Sequence, residues 1–425
     1  MPSSRSPSRL SVMFDDDHAV ADAGLCLVGV LSEKLGLEAL GEQLIDVAPL
    51  AGRRVATLVH TMVAGADCIE DADVLRSGAT AAVLGHKVMA PSTLGTFLRR
   101  CSFGHVRQLD KLSAAMLSRS WSLGAGPGEE GMSIDLDSTI CPVHGDHKEG
   151  AGFGYTHVLG YHPLLSTRSD TGEVLHVRFR KGSAGSGRGA ERFVRETVGR
   201  VRRAGATGAL VLRADSGFFS RHVVKACRDH NVTYSITARQ NPIVKRAVEG
   251  IDEQAWTPID YTESGEAWVA ETPYGDGHRL VVRRTRLAER QPALFPSFRY
   301  HAFITDRVGD AVLLDADHRR HAQVELAIRD LKEGSGLRHC PSGKFKANGA
   351  WAVLATIAHN LLRWVGALGL DIRGPVVAKT IRRRFVTLPG RLTHRARRRQ
   401  LHLLTNWPWA EQWATCFARL CALLL

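Results

Sequence analysis

The sequence lacks the marks of several protein classes. Its eight cysteines are scattered and include no C-x-x-C pair, so we expect no zinc site or disulfide framework but idle thiols in a reducing cytoplasm. No apolar run reaches the roughly 18 residues of a membrane-spanning helix. The start, MPSSRSPSRLSVMFDDDH, has no apolar segment of a secretory signal. We therefore expect a cytoplasmic protein without a membrane partner.

Acidic residues are scarce. The chain carries 43 Asp and Glu against 56 Lys and Arg, which leaves a formal net charge of +13. No acid occurs between Ile372 and Ala410, where Lys379 and nine arginines lie. Such an excess favours a polyanionic partner. The 425 residues, 44% hydrophobic and 23% charged, are otherwise typical of a globular protein with roughly three structural units.

The first 123 residues are predicted to form a helical domain. Apolar residues recur there at intervals of three and four, as in LCLVGVLSEKLGLEALGEQLIDVAPL. A further helix is expected over residues 92–100, where Ser92 would cap its start. The segment GAGPGEEG, residues 124–131, then predicts a linker.

Beyond the linker the hydrophobic pattern changes to that of strands and predicts the order β-β-β-α-β-α-β. A three-strand meander followed by two crossover units is the order of a ribonuclease H-like core, although many sheets produce part of this string. The predicted strands cover residues 132–137, 157–167, 173–179, 208–213 and 232–237, and the predicted helices cover residues 190–203 and 220–230.

Residues 240–299 interrupt this alternation and are predicted to form a β-rich insertion, which contains Trp256 and Trp268. A strand over residues 300–305 then returns to the core, and helices follow over residues 317–333 and 347–368. The last helix is apolar nearly all round, which indicates a buried packing helix. The predicted units are a helical N-terminal domain (1–123), a core in two parts (131–239 and 300–370), the insertion (240–299) and a basic C-terminal tail (371–425).

Three acids lie where a ribonuclease H-like sheet would bring them together. Asp137 ends the first strand, Asp215 follows the fourth, and Glu325 lies on the helix after the insertion. The first and fourth strands of such a sheet are neighbours, so the two aspartates would converge. Asp135 lies on the same face as Asp137, and spacing does not decide which of them takes part. A single aspartate at a strand end is more often a cap or a turn residue.

Converging carboxylates suit hard divalent cations such as Mg²⁺. Two such ions can activate a water or a 3′-hydroxyl and stabilise the leaving oxygen in phosphodiester chemistry. With the positive charge, the three acids indicate a nuclease or a strand-transfer enzyme. Arg329 and Lys332 follow Glu325 at spacings of four and seven. This pattern fits either an exposed ion pair or a metal ligand beside cations that hold phosphates.

Several motifs resemble one family. IDLDST, RADSGF, HAQVELAIRDLKEG and AHNLLRW look like the DDE transposases of bacterial insertion sequences, specifically insertion-sequence family 1380, and the likeness spans residues 14–364. The resemblance implies that Asp137 before Ser-Thr, Asp215 before Ser-Gly-Phe and Glu325 are the catalytic acids. It also gives Lys332, seven residues after the glutamate, a place in the site.

Two features of the wider cut-and-paste group bear on other residues. Its members carry a Tyr and an Arg seven and four residues before the glutamate, where this chain has His318 and His321. Histidine can still donate to a phosphate. Excision in that group can proceed through a DNA hairpin, with a flipped base stacked on an aromatic side chain of the insertion. Trp256 or Trp268 would take that role, although a tryptophan in a small β subdomain is more often part of its core.

The resemblance implies an α/β fold with a ribonuclease H-like core, and Mg²⁺ or its substitute Mn²⁺ as cofactor. It further implies a homodimer that binds double-stranded DNA at paired terminal inverted repeats, in the bacterial nucleoid. The predicted function is a DNA transposase that cleaves element ends and joins their 3′-hydroxyls to target DNA. The rivals are a nuclease of the same fold without strand transfer and an inactive DNA-binding remnant. The residues predicted to contact DNA are Arg180, Lys181, Arg188, His318, His321, Lys332, Trp256 and Trp268.

Overall fold

The computed structural model describes residues 7–145, 147–154, 157–260, 265–275, 277–287 and 298–425. Its fold is α/β, as predicted: helices pack on a mixed sheet of nine strands. One hydrophobic core runs from the N-terminal helices through this sheet to the C-terminal helix.

The N-terminal region is helical, as its apolar spacing predicts. The prediction that Ser92 caps the start of a helix over residues 92–100 is wrong. This helix begins at Pro91, and Ser92 already lies within it. Proline suits this first position because its φ is fixed near the helical value and its missing N–H would have no partner there. The elements are β1 (Ala19–Val20), α1 (Leu25–Leu35), α2 (Leu37–Leu44), α3 (Ala51–Ala64), α4 (Ala72–Arg76), α5 (Thr80–Val83), α6 (Pro91–Arg100) and α7 (Phe103–Ser120).

The central sheet contains the strand order that the sequence predicts. Its core reads β7-β6-β2-β8-β9. β2 is antiparallel to β6 and parallel to β8, which is parallel to β9. This is a ribonuclease H-like arrangement, with the two helical crossovers on the parallel side. The strands and helices are β2 (Met132–Ser138), β3 (Cys141–Pro142), β4 (Gly152–Phe153), β5 (Leu159–Tyr161), β6 (Leu164–Arg168), β7 (Val174–Arg178), α8 (Ala190–Arg203), β8 (Leu210–Ala214), α9 (Arg221–Asp229) and β9 (Thr233–Thr237).

The predicted strand over residues 157–167 is two strands in different sheets. β5 pairs with β3 and β4 in a small sheet, and β6 belongs to the central sheet. Pro163 lies between them and has no N–H to donate to a ladder. The break is therefore a local consequence of this proline.

The insertion extends the central sheet. β13 pairs with β9 at the edge of the core, and β12, β11 and β10 follow in order. The predicted strand that returns to the core is therefore confirmed, but the insertion strands continue the same sheet instead of forming a sheet of their own. The elements are α10 (Pro242–Glu249), β10 (Thr257–Ile259), β11 (Gly265–Tyr274), β12 (His278–Leu287) and β13 (Arg299–Thr305).

Three helices follow the sheet: α11 (Ala311–Arg319), α12 (Gln323–Gly334) and α13 (Phe345–Trp364). The single helix predicted over residues 317–333 is divided between α11 and α12 by the 3₁₀ turn Arg320–Ala322. The segment Phe345–Gly369 is long and apolar enough to cross a membrane, but 89% of its most apolar window is buried inside the protein. It is the packing helix that its composition predicts.

Residues 371–425 do not form the separate basic tail that the sequence predicts. β14 pairs with β1 near the start of the chain, and α15 packs against α1. Trp413, Cys416 and Leu420 of the last helix are buried in the common core. The elements are α14 (Ala378–Ile381), β14 (Gly390–Arg395), β15 (Arg398–Leu403) and α15 (Ala410–Ala422).

Candidate active site

Asp137 and Asp215 lie at the ends of two neighbouring strands. β2 and β8 are parallel, and their register pairs Leu136 with Ala214. The residue that follows each of these two in the chain is an aspartate, Asp137 within β2 and Asp215 directly after β8. The two carboxylates are close enough for the charge of Asp215 to affect the ionisation of Asp137.

Glu325, in the first turn of α12, joins this pair. A cleft of about 430 Å³ is lined by Asp137 and Glu325 together with Arg329 and Lys332. The structure therefore brings the three predicted acids together at one edge of the sheet, with cations on the adjacent helix. The other residues that line the cleft are Ser138, Thr139, Pro142, Ile328, Glu333 and Arg338.

The electrostatics of the cluster suit a divalent cation. Burial, together with the charges of Asp215 and Glu325, raises the pKa of Asp137 to about 6 against the opposing effect of the hydrogen bond from Ser138 N. A cation at this place would relieve the repulsion among the carboxylates. Carboxylate oxygens are also the ligands that hard cations such as Mg²⁺ and Mn²⁺ prefer. The donor set therefore fits the predicted metal.

Asp135 has a different environment. Its side chain is fully buried and accepts hydrogen bonds from Arg213 Nε at 2.8 Å and Arg213 Nη2 at 2.9 Å. His321 Nδ1 lies 3.0 Å from the same carboxylate. Although burial opposes ionisation, the hydrogen bonds from His321 and Arg213 hold the pKa of Asp135 below its usual value. Asp135 is thus engaged in a buried ion pair, and Asp137 is the acid that lines the cleft.

Lys332 contacts the loop that follows Asp137. Its Nζ donates to Ile140 O at 2.8 Å and lies 3.3 Å from Thr139 Oγ1. The ammonium group therefore stands beside the cleft and ties α12 to the end of β2.

His318 is turned toward the sheet. Its Nδ1 lies 2.7 Å from Ser235 Oγ and its Nε2 lies 3.0 Å from Thr237 Oγ1. Its ring stacks on Phe303 with a centroid distance of 4.1 Å. Burial, assisted by neighbouring cations, lowers the pKa of His318 to about 3. Both nitrogens are engaged within the protein, so the structure gives this neutral ring a packing role and not the phosphate contact that its position in the family pattern implies.

The basic loop after β7 has one buried and two exposed cations. Arg180 Nε donates to His162 O at 2.9 Å, and its Nη1 donates to Gly185 O at 2.9 Å and Arg188 O at 2.8 Å. Burial lowers the pKa of Arg180 to about 10. This arginine therefore holds the loop in shape, whereas Lys181 and Arg188 are exposed.

Trp256 and Trp268 face an arginine. The guanidinium carbon of Arg284 lies 4.4 Å from the Trp256 ring centroid, 4.9 Å from that of Trp268 and 4.9 Å from that of Phe298. The same guanidinium forms two hydrogen bonds with Glu253, at 2.8 and 2.5 Å. We call these five residues the aromatic box. The packing interpretation of the two tryptophans fits this geometry better than a stacked base.

Sequence reasoning missed a network that joins the end of β2 to the loop after β7. Ser138 Oγ lies 2.9 Å from His162 Nε2 and 3.2 Å from Ser186 Oγ. His162 Nδ1 lies 2.6 Å from Ala184 O. The motif GYHPLL carries this histidine, but nothing in its spacing shows that it contacts the residue after Asp137.

A family model, the transposase DDE domain group 1, matches residues 3–424. The chain belongs to this family. Enzymes of this class cleave or transfer DNA strands and use divalent metal ions. Among solved structures, the chain is similar to a piggyBac transposase in a synaptic complex with hairpin DNA, with 12% identity, a TM-score of 0.47, and 86% of this chain and 79% of that chain covered. A comparison with curated proteins finds no match.

Proposed function

We propose that this DDE transposase cleaves the ends of a bacterial insertion element of family 1380 and joins the freed 3′-hydroxyls to target DNA. The observation that carries the proposal is the cleft at the ends of β2 and β8. Asp137 and Glu325 line this cleft beside basic side chains, and Asp215 is close enough for its charge to act on Asp137.

The three carboxylates would hold Mg²⁺, or Mn²⁺ in its place. Bound metal of this kind makes a water or a 3′-hydroxyl a better nucleophile and stabilises the leaving oxygen. The protein itself contributes position and charge. Arg329, Lys332 and Arg338 line the same cleft as Asp137 and Glu325. They would hold the phosphates that flank the reacting bond, since phosphate contacts fix the register of DNA without reading its sequence.

Lys181 and Arg188 support a wider DNA contact. Both are exposed on the loop that the Ser138 hydroxyl joins to the catalytic strand through Ser186. His321 supports the site from behind by holding Asp135. We further propose that a homodimer brings two element ends together in the bacterial nucleoid, and that the N-terminal helices contribute to recognition of the terminal inverted repeats.

The test compares three variants with a matched control. Asp137→Asn, Asp215→Asn and Glu325→Gln should each lower metal-dependent cleavage of element ends by several orders of magnitude while DNA binding persists. Glu333→Gln, on the same helix and in the same cleft, should cleave at nearly the normal rate. Because the three acids act as one unit, a double variant should be no worse than a single one.

The DNA that flanks the coding region supplies the substrate, since its inverted repeats define the element ends. Supercoiled target and pre-cut ends then separate the rivals. Joined products require strand transfer and would identify a transposase. Cleavage without joined products would identify a nuclease, and no cleavage by the wild type would identify an inactive remnant. Normal cleavage by any one of the three variants would remove that residue from the site.

A further inference from the structure

A second cavity, of about 310 Å³, lies between α3 and α6 in the N-terminal region. It shares no residue with the carboxylate cleft. Its lining contains two arginines, three hydroxyl side chains and no acid. The lining residues are Ala48, Arg54, Ser92, Thr93, Thr96, Phe97 and Arg100.

Arg54 is incompletely satisfied. Its Nη1 donates to Pro49 O at 2.5 Å, and its guanidinium carbon lies 5.9 Å from the ring centroid of Phe97. Its Nε is buried and has no hydrogen-bond partner among the described residues. A buried donor without an acceptor is costly. The guanidinium of Arg54 therefore has donor capacity that the described part of the protein does not use, and Arg54 lines the cavity.

The first turn of α6 adds further donors. The side chains of Ser92 and Thr93 make no hydrogen bond within the part of the chain that the structure describes, whereas Thr96 Oγ1 already donates to Ser92 O at 2.9 Å. No side chain caps the start of this helix, so the partial positive charge of its N-terminus is not offset there. Arg100 is exposed at the other end of the helix.

The surrounding sequence is free of acids. Between Asp73 and Asp110 there is no Asp or Glu, and this segment includes all of α6. This segment therefore contributes a cation and hydroxyl donors to the cavity and no acid. The basic residues of the segment are Arg76, Lys87, Arg99, Arg100 and Arg107.

We propose that this cavity binds a backbone phosphate of duplex DNA, with Arg54, Arg100 and the hydroxyl of Thr93 as donors. Arg99 and Arg100 are exposed and continue the positive surface beyond the cavity. A DNA backbone that extends past the bound phosphate would meet this surface, whereas a free phosphate would not need it. The choice of DNA as the source of the phosphate rests on the proposed function. The contact is independent of base sequence, because it involves only the backbone.

The experiment measures the affinity for an arbitrary 40-base-pair duplex as a function of salt. Arg100→Ala should lower the log–log slope by about 0.9, the value for one phosphate that the protein no longer neutralises. Thr93→Val should weaken binding about tenfold, since it removes one hydrogen bond to a charged group at nearly constant shape. Arg76→Ala is the matched control, because this arginine of the same segment pairs with Asp73 at 2.6 Å, and it should leave the slope unchanged.

Unchanged slopes and affinities in folded Arg100→Ala and Thr93→Val proteins would overturn the proposal, as would an equal loss in the Arg76→Ala control. Inorganic phosphate distinguishes the two sources of the ligand. If millimolar phosphate stabilises the wild type but not the Thr93→Val variant, and duplex binding is the same in both, the cavity is a small-anion site. Asp137→Asn should keep the wild-type slope, so failure of the catalytic proposal and failure of this one give different results.

Discussion

At the scale of single residues, Asp135 and Asp137 lie two positions apart on one strand, yet their carboxylates have opposite environments. Asp135 is buried against Arg213, whose side chain is 1% exposed. Asp137 opens into the cleft near two other acids, and its pKa is raised. Ionisation of Asp135 therefore stabilises the folded protein, whereas ionisation of Asp137 destabilises it in the absence of a cation.

We expect Asp135→Asn to lower the free energy of unfolding by about 3–5 kcal/mol, because it leaves Arg213 buried without its partner charge. Asp137→Asn should instead raise it near neutral pH. The pKa of this acid is about 6 in the folded protein against an ordinary value of 3.8, so its destabilising effect develops as the pH rises between those values and is complete above them. The gain from Asp137→Asn should therefore be larger at pH 7 than at pH 4.

Urea denaturation of both variants at the two pH values, with metal ions chelated, measures this difference. Equal losses of stability in Asp135→Asn and Asp137→Asn would contradict the separate roles that we assign to the two carboxylates.

At the scale of elements, the aromatic box holds the outer strands of the insertion together. Trp256 precedes β10, Trp268 lies on β11, and Arg284 lies on β12. Trp256 is 9% exposed. The guanidinium of Arg284 is placed over three aromatic rings, an arrangement in which cation–π attraction adds to the ion pair with Glu253.

We expect Trp256→Ala to lower the free energy of unfolding by about 3–5 kcal/mol, the usual cost of truncating a buried tryptophan. Trp268→Phe should be milder, since it keeps a ring beside Arg284. Chemical denaturation measures both, and cleavage of element ends should fall as the fold weakens. Selective loss of hairpin formation at unchanged stability would support the flipped-base role instead.

At the scale of the whole molecule, the two ends of the chain form one unit. β1 and β14 pair through Ala19 and Arg391, and Trp413 Nε1 donates to Phe385 O at 3.1 Å. Five of the nine arginines between Ile372 and Ala410 therefore lie on the folded hairpin of β14 and β15, where their side chains are exposed.

We expect deletion of residues 373–425 to give an insoluble protein, because it exposes the apolar surface of α1 and α13. Charge and fold are separated by changing Arg395, Arg397, Arg398 and Arg399 of the hairpin to Gln. This variant should keep the wild-type melting temperature. The slope of log affinity for duplex DNA against log salt concentration should fall by about 0.9 for each phosphate that these arginines neutralise in the wild type. A soluble, folded deletion protein would contradict the first expectation. An unchanged slope in the Gln variant would contradict the second.

The sequence by itself determined the elements whose pattern is local. The helix predicted over residues 190–203 has those bounds in the structure, because a glycine-rich loop precedes it and its apolar stripe is regular. The strand order of the core followed from the succession of such elements. The three candidate acids were found in the same way, since Asp137 ends a predicted strand, Asp215 follows another and Glu325 lies on a predicted helix.

Tertiary structure decided what depends on contacts between distant residues. Spacing places Asp135 and Asp137 on one face. The contacts of Asp135 with Arg213 and His321, which lie 78 and 186 residues away, distinguish the two acids. Arg180 is basic by sequence, but its burial against a loop makes it structural. The C-terminal arginines look like a tail because charge is a local property, whereas the pairing of β14 with β1 joins residues that are far apart in the chain. No local pattern encodes that closure, since the energy of burial arises only when both ends meet.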